Sequence, residues 1–72
     1  MIQILDTGLM IEESEENTLW IKKSSILKII NYRMEVRFCT GMGDFVWFKT
    51  SLTNESMINL RSAGYIVYDE RN

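Results

Sequence analysis

The chain predicts a small α+β domain, an antiparallel β-sheet meander of about five to six short strands with one α-helix packed on one face. Three observations carry that expectation. Met34-Glu35-Val36-Arg37-Phe38 alternates apolar and charged side chains, as a half-buried strand does. After Ser51 the apolar spacing changes from two residues to three, as a helix requires. A length of 72 residues allows one core, so residues 1–72 form a single compact domain.

Taken in order, Ile2-Gln3-Ile4-Leu5 and Leu9-Met10-Ile11 are two short apolar segments separated by Asp6-Thr7-Gly8. Asp and Gly are turn formers, and the pair reads as a hairpin or a bent strand. Residues 12–17, with Glu12, Glu13, Glu15 and Glu16, read as an acidic loop. Thr18-Leu19-Trp20-Ile21-Lys22 is rich in β-branched and aromatic residues and reads as a strand. Ser24-Ser25 ends it. Ile26-Leu27-Lys28-Ile29-Ile30 fits either a strand or a helical turn, since periodicity does not choose between them.

The strongest local pattern is the hairpin formed by residues 34–38 and Phe45-Val46-Trp47-Phe48-Lys49, joined by Thr40-Gly41-Met42-Gly43-Asp44. A helix is expected from about 52 to 62, with Ser51 at its start and Glu55 where the helix dipole favours an acid. Met57, Leu60 and Ala63 form its apolar stripe, widened by Ile58, and Gly64 is placed to terminate it. Tyr65-Ile66-Val67-Tyr68 reads as a closing strand and residues 69–72 as a frayed tail. From 48 to 68 the order of strand, short helical segment and strand is similar to the end of LytTR-type DNA-binding domains. That family's basic, histidine-bearing closing motif is absent, so no functional residue is carried across.

Composition narrows the function. There is no histidine and Cys39 is the one cysteine. A nucleophilic triad lacks its imidazole, a structural zinc site lacks its ligands, and no intrachain disulfide can form. Gly41-Met42-Gly43 has no third glycine and no following helix, which makes it a turn rather than a phosphate cradle. The acidic residues 12–16 lack the spaced ligands and central glycine of a calcium loop. No catalytic residue, metal or cofactor is expected, and the chain does not read as an enzyme. The N-terminus has no basic stretch like that of a signal peptide, and no apolar run approaches the roughly 20 residues of a membrane span. With a free thiol, these features point to the cytoplasm and away from membranes.

Two kinds of partner remain. The strand Phe45-Val46-Trp47-Phe48 is apolar on both faces, and one helix covers only one side of a sheet. The other side meets the N-terminal segments or another chain. The leading expectation is a non-catalytic protein-interaction module, a homo-oligomer or a small adaptor or inhibitor such as a bacterium or phage uses. Its candidate contact residues are Trp20, Tyr32, Phe45 and Trp47. The alternative is a nucleic-acid-binding or transcription-modulating module using Lys22, Lys23, Arg33, Arg37 and Lys49. The net charge of −2 opposes that alternative, yet residues 17–61 hold seven basic side chains against three acidic ones.

Overall fold

Alternating side chains build two sheets rather than one. The computed structural model describes residues 2–72. Strands β1 (Ile2–Leu5), β2 (Gly8–Ser14) and β3 (Asn17–Lys22) pair antiparallel in the order β1-β2-β3. A 3-10 turn, Lys23–Ser25, leads into β4 (Lys28–Tyr32), β5 (Val36–Cys39) and β6 (Phe45–Phe48). Helix α1 (Asn54–Ser62) then returns the chain to β7 (Val67–Glu70). The second sheet has the order β6-β5-β4-β7, and β7 runs parallel to β4. One helix on a sheet agrees with the expected α+β class. The single meander of five to six strands is corrected to seven strands in two sheets, one of them mixed.

Two segments read from polarity alone are also corrected, and a third is decided. Residues 12–17 are mostly strand: Glu12 to Ser14 end β2 and Asn17 begins β3, with a register shift between Glu12 and Ser14, and only Glu15-Glu16 form the turn. Both faces of the hairpin end are exposed there, so acidic side chains cost the strand nothing. Residues 69–72 are not a free tail. Asp69 and Glu70 continue β7, and Arg71 grips Asp69 through Nε–Oδ1 at 2.8 Å and Nη2–Oδ2 at 2.9 Å. That fork holds the Asp69 carboxyl below its usual pKa. Residues 26–30 resolve as the approach to β4 and most of that strand.

One core lies between the layers. Leu9, Ile11 and Ile21 come from the first sheet, and Ile29, Val36, Phe38, Phe48 and Val67 from the second. Leu52, Met57, Leu60 and Tyr65 complete it from the helix and its flanks. Phe38 and Phe48 meet edge to face, with ring centroids 6.0 Å apart. Met57 and Leu60 are buried as the stripe requires, but Ile58 is 59% exposed and does not widen it.

The helix starts at Asn54, two residues later than its sequence indicates. Thr53, not Ser51, is the N-cap, and its hydroxyl accepts from Ser56 N–H at 3.1 Å. Ser51 instead donates to the Tyr32 carbonyl at 2.8 Å and to Asn31 Oδ1 at 3.1 Å. At the other end Gly64, with φ of 94°, stands where expected. Gly64 N–H donates to Arg61 C=O and Tyr65 N–H to Leu60 C=O, each at 3.0 Å, the paired bonds of a Schellman close. Lys23 Nζ adds a bond to Ala63 C=O at 2.6 Å. Lys23→Met is therefore expected to lose about 0.5–1 kcal/mol in denaturant unfolding, because the helix C-terminus loses its cation. An unchanged midpoint would show that the contact contributes nothing.

Tyr65 is buried, and its hydroxyl has no hydrogen-bond partner among the described residues. Burial pushes its pKa above the ordinary tyrosine value. A neutral buried phenol with a raised pKa supports folding below the unfolded pKa, and that support is lost as pH rises through it. Tyr65→Phe is expected to match or exceed wild-type stability by up to about 1 kcal/mol at neutral pH and to blunt alkaline unfolding. A clear loss at neutral pH would reveal a partner for the hydroxyl.

Candidate functional site

Alternation along the second sheet separates two faces completely. Ile29, Asn31, Val36, Phe38, Phe48 and Val67 point inward and are buried. Lys28, Ile30 and Tyr32 of β4, Arg37 and Cys39 of β5, Phe45 and Trp47 of β6, and Tyr68 and Glu70 of β7 point the other way. Pairing aligns them in rows: Ile30 lies opposite Arg37 and Tyr68, and Trp47 lies opposite Arg37.

Both covering layers lie on the inner side. Ile11 of β2 lines a cleft of about 380 Å³ together with Val36, Phe38 and Phe48, so the first sheet packs over the same face that helix α1 does. The N-terminal segments therefore do not close the outer face. Phe45, Trp47 and Tyr68 remain 43%, 45% and 50% exposed there.

Arg37 organises the outer face. Its guanidinium lies 4.9 Å from the Tyr32 ring centroid and 4.7 Å from that of Phe45, and Nε donates to Glu35 Oε2 at 2.6 Å. The hydrogen bond to Glu35, followed by its charge, holds the guanidinium pKa above its already high ordinary value. The result is a row of ring, guanidinium and ring, flat and amphipathic. Lys28 and Arg37 are balanced by Glu35 and Glu70, so the face has no strong field of either sign. A shallow depression of about 280 Å³ runs between Lys28, Ile30, Tyr32, Tyr68 and Glu70.

The structure thus brings Tyr32, Phe45 and Trp47 together and separates Trp20 from them. Trp20 lies on β3 of the other sheet, where two of its ring carbons sit 2.9 Å from the place a β-carbon on Gly8 would occupy. Its ring covers the backbone of β2. The five basic residues do not form one stripe. Lys23 caps the helix and lies 5.4 Å from the Tyr65 ring centroid, while Arg33 donates to the Arg71 carbonyl at 3.2 Å. Lys49 lines the cleft beside Glu12 and Glu13, Lys22 ends β3, and Arg37 alone belongs to the outer face.

Sequence reasoning missed Ile30 and Tyr68 as neighbours of these aromatics, because only the parallel pairing of β7 with β4 unites them. Asn31 was also missed, although its two-residue spacing from Ile29 marks it as inward-pointing. No three His, Cys, Asp or Glu side chains gather as a metal site among the described residues. Cys39 is a free, half-buried thiol on the open face. No described helix is long and apolar enough to cross a membrane. No family model, curated protein or solved structure matches the chain.

Proposed function

We propose that this chain is a non-catalytic, cytoplasmic protein-interaction module whose contact surface is the outer face of the four-stranded sheet. One observation carries the reading: Phe45, Trp47 and Tyr68 stand exposed around Arg37 on a face that neither helix α1 nor the first sheet overlies among the described residues. Aromatic residues and arginine are the side chains enriched at the centres of protein interfaces, where charge is otherwise scarce. The flat row made by Tyr32, Arg37 and Phe45 has little rotamer freedom left to lose on binding.

A photoreactive phenylalanine analogue in place of Tyr68, in cells expressing the chain, is expected to yield discrete protein adducts. The same analogue in place of Leu27, an exposed apolar residue outside the face, should yield none of them. Adducts shared by both positions, or none at position 68, would remove the reading. The nucleic-acid alternative makes an opposite demand. DNA is expected to cause no mobility shift even at low salt, because the basic groups are dispersed; a shift that collapses as salt rises would favour that alternative instead.

A further inference from the structure

Strand β6 is an edge as well as part of a face, and its edge is unguarded. Of the four strands at sheet edges, β7 carries Asp69 and Glu70, β3 ends on Lys22, and β1 is interrupted by Gln3. Only β6, Phe45-Val46-Trp47-Phe48, is apolar throughout, with no proline and no bulge. Exposed edges of this kind invite a further strand.

The hydrogen-bond phase shows which groups are on offer. Thr40 N–H donates to Asp44 C=O at 3.0 Å, closing the β5–β6 hairpin. Two residues further along each step, Val46 and Phe48 face β5. Cys39 C=O confirms the alternation, since it is taken from the β4 side by Leu27 N–H at 2.8 Å. The main-chain groups of Phe45 and Trp47 therefore turn to the free edge, while their side chains stand on the open face.

We infer that β6 pairs antiparallel with β6 of a second copy of this chain about a two-fold axis at Val46, joining two sheets into one of eight strands. In that register Phe45 of each copy exchanges both main-chain bonds with Trp47 of the other, and the two Val46 side chains meet on the inner face. The strand is complementary to itself. Asp44 precedes it and Lys49 follows it, so antiparallel pairing sets each acid near the other copy's lysine. Parallel pairing would set like charges together. The seam also merges two aromatic rows into one continuous platform. The inference rests on the reading of Phe45 and Trp47 as contact residues, and it names the partner on that strand.

Val46→Cys in a Cys39→Ser background tests the register. Directly opposed residues of a non-hydrogen-bonded pair have β-carbons about 4.5–5.5 Å apart, near enough for a disulfide after slight adjustment. Mild oxidation is expected to give a covalent dimer, whereas Trp47→Cys in the same background should give little. Sedimentation equilibrium supplies the second arm. Phe45→Pro removes one edge donor but no β5 bond, and is expected to weaken dimerisation at least tenfold beyond Phe45→Ala. Ile58→Lys, on the exposed side of helix α1 and away from the face, should leave the dimer constant within about twofold. A dimer abolished by Tyr68→Lys yet indifferent to Phe45→Pro overturns the edge pairing and leaves the face reading standing. A clean monomer at high concentration also overturns the pairing, and the adducts at position 68 then decide the face separately.

Discussion

Asn31→Leu is expected to destabilise the fold by about 3 kcal/mol, the largest effect of any single polar change, lowering the thermal midpoint on the order of 15 °C. Asn31 is completely buried, at 0% exposure, yet sits in a strand between Ile30 and Tyr32. Its amide is matched to the backbone of Leu52: Oδ1 accepts from Leu52 N–H at 2.7 Å, and Nδ2 donates to Leu52 C=O at 3.2 Å. Oδ1 also accepts from Ser51 Oγ at 3.1 Å, and Nδ2 approaches Met57 Sδ at 3.5 Å. The side chain acts as a short piece of strand that ties the β6–α1 connection to β4. Leucine would fill the volume but leave two main-chain groups of a buried residue without partners, each costing about 1–3 kcal/mol.

Asn31→Asp supplies an independent signature. A carboxylate keeps the acceptors but cannot donate to Leu52 C=O, whereas its protonated form can. Its folded pKa should therefore lie above the unfolded value, so that stability rises as pH falls through the folded pKa. Ser51→Ala should cost less, about 1 kcal/mol, because the Leu52 pair survives. An Asn31→Leu protein within about 0.5 kcal/mol of wild type in urea would sink this account.

Gly8→Ala is expected to cost about 2 kcal/mol, with a red-shifted tryptophan emission. A β-carbon at position 8 would run into the Ile21 carbonyl oxygen and stand 2.9 Å from two carbons of the Trp20 ring. The ring can swing away; the carbonyl is part of β3 and cannot without parting the strands. The double variant Gly8→Ala/Trp20→Ala separates the two obstacles. It should remain less stable than Trp20→Ala by most of the same 2 kcal/mol. Full recovery in the double variant would place the obstruction in the ring alone. The result also bears on Trp20, whose half-exposed ring covers the β2 backbone at Gly8.

Much of the fold was legible because it is local. The alternation through Val36, Arg37 and Phe38 and the Schellman glycine at position 64 each depend on a few neighbouring residues, and both stand where the pattern put them. Other features were not. Thr53 and Ser51 are equally good capping residues in isolation, and the choice of Thr53 follows from Ser51 being drawn to Asn31 and the Tyr32 carbonyl. Polarity misjudged residues 12–17 and 69–72 because an exposed strand end tolerates charge as readily as a loop does.

The amino-acid sequence by itself determined a single α+β core, one helix, and a β6 strand whose four side chains are all apolar. It determined as well that no imidazole is present for catalysis. Only the tertiary structure decided which half of that strand is hidden. Period-two alternation states that Phe45 and Trp47 share one side and Val46 and Phe48 the other, but it cannot say where the remaining layers come to rest. Helix α1 and the N-terminal sheet pack on the same side, because the inward row of Ile29, Val36, Phe38, Phe48 and Val67 carries no charge and its one polar member, Asn31, is matched to the Leu52 backbone. The opposite row is divided by Lys28, Arg37 and Glu70, so it gains less from being covered by the chain itself.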